Sequence, residues 1–430
     1  MEMLSYYVKL SVRNLRRNAL FFTLMITTLA VGVGVLLANL AILKTMSNDP
    51  IPHKSDRIFN ISMNGWPNSN SGHDQPLYIL RYRDAMEILK SDIPTHSLAH
   101  YQSSVYTRDF ESKSLTRYSA QVRATTKGFF DLTDAPFAYG GSWQQPNALE
   151  LVIGDSLNMQ LFGGGNSVGK TIEIDDKMYR VVGVLKPWRL QPKFYHVTED
   201  QGFELTEDVY APLETALDAE WGIAARSSST ERSTSPSASR GKNVFYLQMF
   251  VQLDDAAQKA DFLNFLDSYS QSLKDAGEHP LDINNRLLDV NEWLEFNEVV
   301  DDRMLAFALA TALFLAVCIF NASSLLIGRY HAGKFESGLR RAVGASRKDL
   351  FYQGTVESLI IGLCCSVLAL LLGALFLQLS QTFFPQLDNI GRLDGEMAAL
   401  GLLIALGTTF LSALYPLIRS CTMSLSAEIK

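Results

Sequence analysis

Four long apolar runs organise this sequence. Ala19 to Leu43, Met304 to Ile327 and Met397 to Ile418 contain no charged residue, and Thr355 to Leu379 contains only Glu357. A helix needs about 20 apolar residues to cross the hydrocarbon core of a bilayer. Each run reaches that length, so each is predicted to span a membrane. Ahead of the first run, Leu4, Val8, Val12 and Leu15 recur at helical spacing, with Lys9, Arg13 and Arg16 between them. Residues 1–18 therefore read as an amphipathic helix.

Between the first and second runs the pattern changes to short alternating stretches and amphipathic helices, which predicts an α/β domain over residues 44–303. Ile58 to Met63, Ser97 to Tyr106, Ser119 to Ala124, Leu149 to Ile153, Val244 to Leu253 and Leu287 to Val290 read as strands. Leu77 to Leu89 and Ala256 to Leu273 have helical spacing, as does the segment that follows Ile153 through Phe162. Thr171 to Ile174 and Tyr179 to Leu185 read as a hairpin around Asp175-Asp176-Lys177. Asn291 to Asp302 is expected to form a stalk helix that continues into the second span. Strands on both sides of the middle of the domain predict a discontinuous core with an inserted lobe. Residues 224–242, rich in Ser, Thr and Arg, are expected to be a mobile loop.

Charge orients the spans. Lys9, Arg13, Arg16 and Arg17 precede the first span. Arg329, Lys334, Arg340, Arg341, Arg347 and Lys348 lie between the second and third. The positive-inside rule places both termini (1–18 and 419–430) and the loop 328–354 in the cytoplasm, and 44–303 and 380–396 outside. A net charge of −7 gives no support for nucleic-acid binding. Cys318, Cys364, Cys365 and Cys421 all lie in or beside spans, so the external domain must fold without disulfides. No Cys/His spacing predicts a metal site.

Gly164 to Thr171 fits G-x-x-x-x-G-K-T, the phosphate-binding loop of many ATPases. That chemistry needs a strand before the loop and a helix after it, whose N-terminal N–H groups hold the phosphates. Here a helical segment precedes the motif and the alternating Thr171-Ile-Glu-Ile-Asp175 follows it. The motif is read as a glycine turn entering a hairpin, and no catalytic or cofactor-binding residue is assigned to this chain.

The loop between the second and third spans carries the candidate functional residues. Leu339 and Val343 share one helical face. Gly344 suits a helix C-terminus, and Ser346 with Asp349 fits a cap that starts the next helix. The segment is predicted to be a short helix, a tight turn and a second helix leading into the third span, presenting a compact knob.

Phe335 to Asp349 resembles the cytoplasmic loop of MacB/FtsX-type ABC transporter permeases, with Glu336, Gly338, Leu339, Arg340, Ala342, Gly344, Ala345 and Asp349 in the matching positions. Glu336, Gly338, Leu339, Arg340, Arg341, Val343, Gly344 and Ala345 are the eight candidate coupling residues. Phe335 and Ser337 depart from the family's usual Arg and Ile. Asn321, Glu357, Tyr415-Pro416 and Arg419 also fall where the family has these residues. In the external domain, Gly128-Phe129-Phe130, Gly140-Gly141, Leu161-Phe162-Gly163, Val168-Gly169-Lys170-Thr171 and Val181-Val182-Gly183-Val184 resemble the family's external core in order.

The resemblance implies a permease subunit of the bacterial inner membrane that works as a dimer, with an identical or paralogous second permease. It implies a separate ABC ATP-binding subunit dimer that holds ATP and Mg and docks on the eight loop residues. ATP-driven motion would pass to the external domain for export of a peptide, antibiotic or lipid-linked substrate. A periplasmic adaptor and outer-membrane channel are further partners found with the family. Within it, LolC/LolE-like lipoprotein release and FtsX-like control of cell-wall hydrolases are alternatives. Outside it, a membrane sensor is the alternative.

Overall fold

The computed structural model describes residues 2–65, 75–109, 116–197, 202–224, 227–229, 235–279, 281–300, 302–332, 339–383, 391 and 393–422. These fall into two compact units, one of residues 49–299 and one joining residues 1–48 to 300–430.

The first unit is built on a 12-stranded sheet. Its main path runs Arg286–Asp289, Ile58–Ser62, Val244–Gln252, His96–Asp109, Tyr118–Thr125, Val209–Pro212, Glu150–Ile153, Lys177–Leu185 and Phe137–Gly140. Most pairs are antiparallel; Tyr118–Thr125 with Val209–Pro212, and Glu150–Ile153 with Lys177–Leu185, are parallel. Val244–Gln252 sits between two strands from the first half of the chain, and every residue in it is buried. One cluster packs Ile61, Tyr101, Val122, Leu151, Val181 and Trp221. A separate, more aromatic cluster packs Phe129, Phe130, Tyr195, Tyr210, Phe250 and Trp293.

Ala256–Asp275 is helical because Asp255 caps it, accepting from the Gln258 backbone N–H at 2.8 Å. It turns Phe262, Leu266 and Leu273 inward, at spacings that keep them on one face. Burying side chains of this size contributes about 1.5–3 kcal/mol each. The hairpin predicted at Thr171 forms, with Asp175 and Asp176 at φ 46° and 63°, the left-handed pair that a tight two-residue turn requires.

Three expectations differ from the structure, and two strands were not foreseen. The helix expected from Leu77 begins at Tyr82, because Leu77 pairs with Met63 and Leu80–Arg81 joins the sheet. The stalk helix is not continuous. Val290–Phe296 opens with a capping box between Asp289 and Glu292, and Glu298 then takes φ 51°, which helical backbone excludes. The strands Phe137–Gly140 and Val209–Pro212 carry too short a pattern to be read in advance. In the segment expected to be a mobile loop, Ser228–Ser229 pairs with Val244–Gln252. There too, Arg240 reaches the carboxylates of Glu214 and Asp218 at 2.7 Å each. Those ion pairs compensate for the lack of apolar residues in that segment.

The second unit holds the helices Glu2–Arg17, Ala19–Met46, Asp302–Ala332, Arg347–Phe383 and Gly395–Thr422. Four of them are long and apolar enough to cross a membrane. Their shared core contains Phe22, Leu29, Val33, Leu315, Cys318, Leu326, Ile361, Cys365, Ala405 and Leu417. Small residues set the approach of the first and third spans: a Cβ on Gly34 would stand 3.0 Å from the Ala369 carbonyl oxygen and 3.1 Å from Gly373 N. The second span is the least covered, with Phe307, Leu309, Leu313, Val317 and Phe320 on its open side. At one end of the unit, Lys44 pairs with Asp394 at 3.1 Å and Glu396 at 2.6 Å.

Candidate functional site

In the loop between the second and third spans, the described residues resume at Leu339. Glu336 and Gly338 lie outside the described residues. A short helical turn at 339–342 ends because Gly344 takes φ 114°, a conformation that a residue with a Cβ resists. Three backbone bonds close the stop: Val343 N–H to Leu339 O at 3.1 Å, Gly344 N–H to Arg341 O at 3.1 Å, and Ala345 N–H to Arg340 O at 3.0 Å.

The next helix starts at once. Ser346 Oγ accepts from the Asp349 backbone N–H at 3.2 Å, and Asp349 Oδ2 accepts from the Ser346 backbone N–H at 2.9 Å. The stop and the restart fall within three residues, so the backbone makes a compact corner. Leu339 and Val343 stand at that corner one helical turn apart, 54% and 83% exposed. Exposed apolar side chains beside the exposed Arg347 and Lys348 form a surface suited to a protein partner with an apolar pocket and an acidic rim.

The residue-by-residue outcome is mixed. Leu339, Val343, Gly344 and Ala345 lie together at the corner. Arg340 instead turns back to the third span, where its Nη1 donates to Gln353 Oε1 at 2.9 Å. Arg341 is half-buried. Gln353 was missed from the sequence, as was Arg329, whose Nη1 lies 2.7 Å from Glu357 Oε1. An acidic residue in an otherwise apolar span was the available signal for that pair.

The Gly164–Thr171 segment is built for a different purpose. It lies between the helix Asp155–Phe162 and the strand Thr171–Ile174. Gly163 N–H and Gly164 N–H cap the helix, on Met159 O at 3.0 Å and Asn158 O at 3.2 Å. Val168 N–H donates to Asn166 Oδ1 at 3.1 Å, Gly169 N–H to Val181 O at 2.8 Å, and Lys170 N–H to Ser167 O at 3.1 Å. Four of the segment's backbone donors, those of Gly164, Val168, Gly169 and Lys170, are thus used within the fold. Lys170 Nζ lies 4.4 Å from the centre of the Phe162 ring. The glycines further along serve close packing: a Cβ on Gly140 would stand 2.0 Å from the Val182 carbonyl oxygen, and one on Gly183 2.4 Å from that of Gly141.

The α/β unit also buries charge. Glu207 receives Arg123, Lys193 Nζ at 3.4 Å, Tyr195 Oη at 3.1 Å and Tyr210 Oη at 3.3 Å. Burial alone would raise the Glu207 carboxyl, but Arg123 and Lys193 outweigh it and hold it well below the usual carboxylate range. Burial, reinforced by Arg123, pushes His100 well below the usual imidazole value, so its Nδ1 can accept from Arg123 Nη1 at 3.3 Å. The cluster is enclosed by Tyr195 and Tyr210 and reads as a structural network. Among the described residues, no group of three or more His, Cys, Asp or Glu could hold a metal ion.

Two family models match the chain: the MacB-like periplasmic core domain over residues 22–266, and the FtsX-like permease C-terminal over residues 306–425. A macrolide export ATP-binding/permease protein MacB from Bdellovibrio bacteriovorus is 23% identical over 236 residues, covering 54% of this chain and 31% of that protein. The chain thus spans about a third of the length of this curated relative. Among solved structures, the periplasmic region of MacB from Actinobacillus actinomycetemcomitans is similar at 16% identity, covering 59% of this chain and 98% of that one with a TM-score of 0.37. The extracellular domain of the noncanonic ABC-type transporter YknZ from Gram-positive bacteria is similar at 14% identity, covering 54% and 100% with a TM-score of 0.35. The first family model alone accounts for more than half of the sequence, and the second takes in the last three spans. With four membrane-length helices and an α/β unit between the first and second, the chain belongs to the MacB/FtsX-type ABC transporter permeases.

Proposed function

We propose that this chain is the membrane subunit of an ABC transporter that receives the motion of a cytoplasmic ATPase through the corner at Leu339–Ala345. The observation that carries the reading is the pair Leu339 and Val343, uncovered and one turn apart, on a corner held by backbone bonds and a helix cap. A mobile loop resting on lipid headgroups would need basic residues only; a fixed apolar pair favours a protein pocket. The positive-inside rule puts this corner and both termini on the cytoplasmic side. ATP and Mg belong to the ATPase, and the external unit does the work of moving an exported peptide, antibiotic or lipid-linked substrate. A second permease, identical or paralogous, completes the pair that an ATPase dimer needs, and a periplasmic adaptor and outer-membrane channel fit the export reading.

The test is reconstitution of the chain in lipid nanodiscs with an ABC ATPase encoded beside it. ATP hydrolysis should depend on both proteins, and Val343→Asp should lower it to the level of the ATPase alone while the permease keeps its melting temperature. Hydrolysis by the permease alone that disappears with Lys170→Ala would sink the reading. So would full stimulation by Val343→Asp.

A further inference from the structure

Three side chains along one face of the third span tie three separate parts of the membrane unit together. Asp349, Gln353 and Glu357 are four residues apart, so they stand one above another on the Arg347–Phe383 helix. Asp349 Oδ1 accepts from Tyr7 Oη of the helix Glu2–Arg17 at 3.4 Å. Gln353 Oε1 accepts from Arg340 of the corner at 2.9 Å. Glu357 Oε1 faces Arg329 Nη1, at the end of the second span, at 2.7 Å.

The last of these differs in kind. Glu357 is 7% and Arg329 19% exposed at the side chain, and the Arg329 guanidinium lies 4.4 Å from the Phe22 ring centre of the first span. The fourth span closes over the pair through Thr409 and Ala413, which line a small cavity with Arg329, Gly354 and Glu357. One helical turn before Glu357, Gly354 lets Leu417 of the fourth span pack close: a Cβ there would stand 2.0 Å from Leu417 Cδ2, so that side chain would have to shift. All four spans therefore meet at this ion pair. Arg329 and Glu357 also bracket the segment 330–356, which contains the corner.

We infer that Arg329 and Glu357 form a clasp that fixes the corner to the four-span bundle, with Gln353–Arg340 as its outer rung, and that they are positioning residues for coupling. The consequence for coupling rests on the docking role proposed above; the mechanical claim does not. With the clasp closed, a displacement of the corner must move the ends of the second and third spans together. With it open, the corner can move alone. Two buried opposite charges hold each other only as a pair, so removing one strands the other.

Amide hydrogen exchange on the full chain in nanodiscs, without any ATPase, tests the clasp. In Arg329→Met/Glu357→Leu, both charges are replaced by apolar groups. The amides of Val343, Gly344 and Ala345 should then exchange about tenfold faster, while those inside Ala19–Met46 keep their rate. Glu357→Gln alone, leaving Arg329 without its counter-charge, should accelerate them more than the double variant does. Unchanged exchange at 343–345 in a double variant with an intact first span would overturn the clasp. If neither clasp variant folds, Gln353→Ala removes the outer rung from outside the core. It should accelerate the same amides to a smaller extent, and no acceleration there overturns the inference equally. Because no nucleotide or partner enters this measurement, a negative result leaves the docking test standing on its own.

Discussion

Two turns built around glycine invite opposite readings in this protein. Gly164–Thr171 matches a phosphate-binding loop letter for letter, yet four of its backbone donors are spent on a helix cap, on a strand and within the turn itself. The corner at Gly344 matches no catalytic pattern, yet it holds uncovered apolar side chains in a fixed geometry. The difference lies in what surrounds the glycines. A phosphate site needs free N–H groups aimed at one point from a helix N-terminus. A docking corner needs the reverse, with every backbone group satisfied locally so that side chains alone face outward.

Breaking the two turns separately should expose that contrast. Gly344→Pro has the largest expected effect. Proline locks φ near −65°, removes the N–H bonded to Arg341 O, and costs about 3 kcal/mol in such a setting. Exchange protection at Val343 and Ala345 should vanish, and stimulation of a partner ATPase with it, while the melting of the α/β unit stays unchanged.

Mild acid, between pH 7 and pH 5, should act on the other unit. His279 Nε2 accepts from Arg81 Nη2 at 2.9 Å; burial first, and then Arg81, lower its pKa to about 4, with Asp84 opposing. The folded state thus prefers the neutral ring more than the unfolded chain does. The stabilisation is complete above the ordinary value near 6.5 and is lost as pH falls from there toward 4. At pH 5 that amounts to about 2 kcal/mol. Thermal unfolding followed at pH 7 and pH 5 should show it, and His279→Gln should reduce the dependence, leaving the part that buried His100 contributes with the same sign. Among the described residues, no histidine takes part in the hydrogen bonds that close the Gly344 corner, so exchange at 343–345 should not follow this profile.

Smaller effects separate the false motif from a real one. Gly169 sits at φ 90°, so Gly169→Ala should cost about 1 kcal/mol in thermal unfolding. Lys170→Ala should lose only its contact with Phe162, about 0.5–1 kcal/mol. Neither change should alter nucleotide binding by the chain, measured by equilibrium dialysis with ATP and Mg. A genuine phosphate loop would lose it in the Lys170 variant.

What could be read in advance followed the range of the interaction. Ser346 and Asp349 are three apart, and Gly344 acts on its own backbone, so the corner was legible from local rules. The hairpin at Asp175-Asp176 was legible for the same reason. Arg329 with Glu357 and Arg340 with Gln353 are decided by how helices pack, and no local pattern reports that. The segment 224–242 looked unable to fold because it lacks apolar residues. Its partner carboxylates, Glu214 and Asp218, lie in a helix that the sequence pattern did not reveal. Short strands failed for want of length: Val209–Pro212 owes its place to its neighbours on both sides.

The position of Val244–Gln252 in the sheet sets an order of events during synthesis. Ile58–Ser62 has two partners in the sheet, Val244–Gln252 and Arg286–Asp289, and both are made long after it. As the chain emerges, its first strand therefore waits unpaired for most of the length of the domain. Loop closure over such distances is slow, and an open strand edge is prone to the wrong pairing meanwhile. The external unit should consequently reach its final sheet only after its last segment has arrived. A pause or truncation before Val244 would leave a sticky intermediate in place of a smaller folded piece.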